Sequence, residues 1–146
     1  MTTRNAQLAT EMRELRDRVV GVTDVVVASA DGLLITAETD DTADAESLAA
    51  LTAAAVSLAR RAGAMTSKGL LHHTVSRFTG GYLVAHPVGD MALIGVLGDT
   101  GLDVRRLHTE TQATLQRLTA LLTAPEGPEG PERPEAPEAP EAPTGT

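Results

Sequence analysis

The chain has 146 residues, with 12 basic and 20 acidic side chains, a formal net charge of −8, no Cys and no Trp. That length suits one domain around a single core, and the missing Cys excludes disulfides, thiolate catalysis and Cys-ligated zinc. The acidic balance, with Phe78 and Tyr82 the only aromatics, argues against a nucleic-acid partner, and no run nears the roughly 18 apolar residues of a membrane span, so a cytoplasmic protein without membrane insertion is expected.

Leu8, Met12, Leu15 and Val19 recur at helical spacing among charged residues. They predict a one-faced amphipathic helix with Glu14 and Arg18 set for an i,i+4 pair. Two apolar strands follow, 25–29 and 33–37, folded about Asp31-Gly32. Asp-Gly between apolar runs predicts a two-residue type I′ turn. Its register would set Ala30 opposite Leu33, Ala28 opposite Ile35 and Val26 opposite Ala37. Both faces of this hairpin carry apolar side chains, so the sheet should be covered on both sides. The acidic stretch 40–44 offers N-terminal caps for a second helix at about 45–65.

That second helix has no charged residue from 47 to 59, and Ala is by far its commonest residue. Leu48, Leu51, Ala55, Leu58, Ala62 and Met65 make one stripe expected to pack on the sheet. Ala49, Ala50, Ala53, Ala54 and Ser57 lie elsewhere around the axis, where a surface helix is ordinarily polar. Two readings stand open: Ala is simply a good helix former, or another subunit buries this side and the small residues permit close approach.

Three strand-like runs come next, 70–78, 82–87 and 91–97, punctuated by Thr79-Gly80-Gly81 and Val88-Gly89-Asp90. They predict an antiparallel meander. A last helix at about 103–122 places Val104, Leu107, Thr111, Leu115, Leu118 and Leu122 on one face. Five strands with helices on both faces make a three-layer α/β unit. Beyond it, residues 125–143 carry Pro at every third position, and the tail's six Glu and one Arg hold most of the net charge, leaving 14 acids and 11 bases in residues 1–123. The period matches polyproline II, which at about 3.1 Å per residue would reach roughly 60 Å. The predicted organisation is a domain at 1–123 and a disordered, solvated Pro/Glu-rich tail at 124–146.

Catalytic motifs are missing. The single Lys, Lys68, lacks the Gly-rich run of a phosphate loop, and Gly95 to Gly98 fall short of a dinucleotide fingerprint. His72 and His73 would point to opposite faces of a strand and so cannot grip one metal together. His86 could approach one of them across the hairpin, but no acidic or Cys ligand accompanies the three, so no metal or cofactor is expected. Ser76 with His73 lacks an elbow motif and a third orienting group, which leaves a hydrolase as a formal alternative without a catalytic constellation.

The element order, the Val-Val-Val-Ala-Ser-Ala-Asp-Gly-Leu-Leu-Ile hairpin (25–35) and the meander from Gly80 to Leu97 together resemble the roadblock family, named after a dynein light chain, over about residues 8–121. With eleven Arg to one Lys, abundant Ala and the acidic Pro tail, the chain is most similar to roadblock proteins encoded in actinobacterial conservons. Those operons also carry a sensor-kinase-like protein and a Ras-like GTPase. The resemblance implies a profilin-like domain, its five-stranded, mainly antiparallel sheet bearing one helix on one face and two on the other. It also implies a homodimer in which second helices and third strands meet across a two-fold axis, and a non-catalytic regulator or scaffold for a Ras-like small GTPase. The uncharged helix and the edge strand point to a dimer interface at Ala49, Ala50, Ala53, Ala54, Ser57, His72, Thr74 and Ser76. Charge returns abruptly at the end of the helix, and Arg60, Arg61, Met65 and Lys68 there make the expected partner-binding surface. A regulator of this kind would accelerate hydrolysis by repositioning the GTPase's switch residues or by inserting an Arg, for which Arg60, Arg61 and Arg77 are candidates, each equally readable as a solvated surface Arg. The alternative is a pure scaffold that links a sensor-kinase-like membrane protein to other components and leaves the GTPase rate unchanged.

Overall fold

Eight elements follow one another in the computed structural model, which describes residues 3–39 and 44–124. They are α1 (Thr3–Arg18), β1 (Val22–Ser29), β2 (Leu34–Glu38), α2 (Ala45–Met65), β3 (Thr74–Phe78), β4 (Gly81–Val88), β5 (Ala92–Gly98) and α3 (Val104–Thr123). The predicted polyproline tail and most of the acidic stretch before α2 lie outside the described residues. Asp44 caps α2 by accepting the Ser47 N–H at 3.1 Å, and Asp103 caps α3 by accepting the Arg106 N–H at 3.0 Å.

The five strands form one sheet in the order β2-β1-β5-β4-β3, with every pair antiparallel. Alternation along the strands divides the core in two. On one face Leu8, Met12, Leu15 and Val19 of the α1 side and Leu107 and Leu118 of α3 pack with Val25, Val27, Ile94 and Val96. On the other, α2 alone sets Ala49, Ala53 and Val56 against Ala28, Ala85 and Leu93. One helix therefore covers one face and two cover the other. Glu11 of α1 accepts from Arg117 of α3 at 2.6 Å, and the predicted Glu14–Arg18 pair closes at 3.2 Å.

Two local expectations are corrected. The β1–β2 connection is a three-residue loop: Ser29 N–H donates to Leu33 O at 2.9 Å and Gly32 N–H to Ser29 O at 2.9 Å. Gly32 takes φ +95°, while Asp31 stays out of the left-handed region that a type I′ turn demands of it. Ser29 Oγ bonds Asp31 Oδ1, and Ala30 N–H donates to Met91 O at 2.8 Å, tying the loop to the neighbouring turn. The extra loop residue shifts the register by one, so Ala28 pairs with Leu34; a bulge then restores Val27↔Thr36 and Val26↔Ala37. The third strand is also shorter than the predicted 70–78. After α2 the chain folds back on the helix end, with Thr66 N–H donating to Ala62 O at 3.1 Å and Lys68 N–H to Gly63 O at 2.8 Å, and pairing begins only at Thr74.

Candidate protein interface

α2 sits on the sheet with the opposite side from the one expected. Ala49, Thr52, Ala53 and Val56 are its buried residues, whereas Leu51, Leu58 and Met65 are 66, 68 and 82% exposed. The cause is the closeness of the approach. A Cβ on Gly95 of β5 would lie 2.9 Å from Thr52 Cγ2, so only small side chains fit between helix and sheet. Thr52 is tolerated there because its hydroxyl donates to Leu48 O at 2.7 Å. Ala49 and Ala53 are thus spent inside the protomer and cannot form the outer surface. Ala50, Ala54 and Ser57 remain exposed. Leu51, Ala54, Leu58, Ala62 and Met65 recur every three or four residues and form a single outward apolar stripe.

At the β3 edge of the sheet no further strand pairs among the described residues. The opposite edge, β2, is attended by α1, whose Arg13 and Arg16 reach Glu38 at 3.5 and 3.8 Å. β3 has no such guard, and Val75 and Phe78 are 44 and 55% exposed. Thr74 and Ser76 pair with Ala85 and Leu83, on the face that carries α2, and His72 just before the strand is exposed. Of the four residues expected to bind a partner, Arg61, Met65 and Lys68 are exposed. Arg60 is half-buried and donates to Gly89 O at 2.8 Å, which fixes it to the β4–β5 turn. Arg77 lies 5.9 Å from the Tyr82 ring centre, beside a cavity of about 370 Å³ whose lining includes no acid/base pair.

Ser76 and His73 are three positions apart on opposite faces, so the formal hydrolase pair is not brought together. His73 instead faces His86 of β4, with ring centres 5.2 Å apart, and His108 of α3 completes a triangle at 5.0 Å from His73 and 6.0 Å from His86. Burial, with neighbouring histidines adding, lowers the pKa of His73 and pushes that of His86 down to about 4.

The Roadblock/LC7 domain model matches residues 8–98. The chain belongs to the Roadblock/LC7 family. A crystallised Roadblock/LC7 domain from Streptomyces avermitilis is 26% identical, with a TM-score of 0.74 over 79% of this chain and 97% of that one. MglB of Myxococcus xanthus superposes with a TM-score of 0.74 at 16% identity, over 84% of this chain and 92% of its own. MglB described in a tetrameric arrangement gives 0.75 at 11% identity, over 83 and 91% of the two chains. No curated protein matches the sequence.

The family match ends at Gly98, so α3 of this roadblock domain, with His108, lies beyond it. The spacing of His72, His73 and His86 draws those three together in the sequence, and His108 stands apart from them. The signal was present: His108 falls four residues after Val104 and three before Thr111, on the apolar stripe of the last helix, as His86 falls between Val84 and Val88 on the inward face of its strand.

Proposed function

We propose that this roadblock protein is a homodimer that binds and regulates a Ras-like small GTPase and catalyses no reaction itself. The observation that carries the reading is the outward apolar stripe Leu51, Ala54, Leu58, Ala62 and Met65 beside the unguarded β3 edge, because large exposed apolar patches mark protein contacts. Leu51, Ala54 and Leu58 meet their two-fold copies while Thr74, Ser76 and His72 line the paired edges. Arg61, Met65 and Lys68, at the far end of α2, face the GTPase. The family resemblance supports the GTPase as partner, and the tetrameric MglB supports assembly of copies as a habit of the fold.

Sedimentation separates the parts. Wild-type protein is expected as a dimer, and Leu58→Asp, at a position 68% exposed, as a folded monomer; a folded variant that still dimerises places the interface elsewhere. Charge reversal of Arg61 together with Lys68 should weaken GTPase binding and leave the dimer intact. Arg60 is a poorer target, since its reversal also removes the bond to Gly89. GTP hydrolysis by the GTPase is then measured with and without the protein: a changed rate supports regulation, binding without a rate change supports the scaffold linking it to a sensor-kinase-like protein, and no binding overturns the reading.

A further inference from the structure

Three of the four histidines converge at a place the dimer and GTPase reading does not use. His73 comes from the connection before β3, His86 from β4 and His108 from α3, and one ring nitrogen of each lies within 4.8 Å of the others. His86 is 1% exposed, and both of its nitrogens, with the Nδ1 atoms of His73 and His108, are buried without a hydrogen-bond partner. Buried imidazole nitrogens are costly to leave unpaired, so four at one point call for an occupant. The group contains histidines alone and no acid among the described residues to take up their N–H groups.

We propose that His73, His86 and His108 form a three-histidine site for a divalent transition metal, with Zn²⁺ as the fitting ion. Imidazole is a borderline ligand that suits Zn²⁺, Cu²⁺ and Ni²⁺ and is poor for Mg²⁺ or Ca²⁺. At Zn–N distances of about 2.0–2.1 Å, tetrahedral nitrogens sit about 3.3 Å apart. From 4.8 Å, side-chain rotations that draw the rings together by about 1.5 Å close the site without moving a strand. Three neutral imidazoles leave a fourth position for water. Neutral rings are what a metal requires. The ion would join α3 and the 66–73 connection to β4, bracing the start of the edge strand from the face opposite α2.

The test uses full-length protein without a polyhistidine tag, first stripped with chelator. Co²⁺ is expected to bind one per chain with the intense visible bands of a four-coordinate site, and Zn²⁺ to bleach them. Zn²⁺ at about 100 times its dissociation constant should raise the melting temperature by several degrees. His108→Ala, on a helix face only half-buried, should fold and bind Co²⁺ at least about 10-fold more weakly. His72→Ala, at the exposed neighbour, should bind as wild type does. His86→Gln serves as a second ligand variant if His108→Ala fails to fold. Absence of the Co²⁺ bands with no Zn²⁺-dependent melting shift, the result expected if a buried water fills the triangle, overturns the proposal. So does equal metal affinity in the His108→Ala and His72→Ala proteins.

Discussion

His86 is a base held where a charge is disfavoured: burial first, then repulsion from His73 and His108, pushes its pKa down to about 4. In the unfolded chain it titrates near 6.5. Below that value the unfolded state takes up a proton that the folded state refuses until about pH 4, so this group's contribution is complete above about pH 6.5 and falls by about 3 kcal/mol as pH drops to 4. The lowered pKa of His73 acts in the same direction. In chelator-treated protein, the urea midpoint should therefore drop more steeply between pH 7 and pH 4.5 in wild type than in His86→Met; equal slopes would contradict it. A second contrast is found at adjacent positions of α2. Ala53 is 5% exposed and Ala54 lies at the surface, so Arg at the first should cost about 3 kcal/mol or more, and Arg at the second about 0.5 kcal/mol or less, in denaturant unfolding of the monomer.

Among the elements, α2 and β5 make the tightest fit. A methyl group on Gly95 would come within 2.9 Å of Thr52 Cγ2 and 3.2 Å of Val26 Cγ2. Gly95→Ala should lift the helix and cost about 1–3 kcal/mol, read as a lower denaturant midpoint with the fold retained; no loss would mean that α2 does not seat as described. This contact also explains which parts of the structure were legible in the sequence. Helix ends are, because caps such as Asp44 and the period of α1 are local signals, and the predicted 45–65 matches α2. The side of α2 that meets the sheet was not. Hydrophobicity favours the stripe with the largest side chains, whereas the space over Gly95 admits only the smallest, and that constraint comes from a strand more than thirty residues away. The hairpin turn departs from the predicted type for a similar reason, since Ala30 is held by Met91, which no local pattern reveals. His108 was legible by position but takes on meaning only when α3 crosses β4.

At the scale of the molecule, two helices guard one face and a single Ala-rich helix guards the other. No Val, Leu, Ile, Met or aromatic residue follows Leu122 in the sequence. Removing everything after Ala124 should therefore leave the melting temperature within about a degree, and a drop of many degrees would show that the tail docks. The uneven layering has another consequence. Local opening free energies follow the apolar area that holds a segment down, and α2 rests on Ala49, Thr52, Ala53 and Val56, whereas α1 rests on Leu8, Met12 and Leu15. In an isolated protomer the amides of α2 should exchange with solvent deuterium sooner than those of α1, β1 or β5. If α2 is also the helix that copies share, each association closes that opening, and its exchange slows as protein concentration rises while the central strands keep their rates. Deuterium uptake of one helix would then serve as a gauge of self-assembly inside the folded chain.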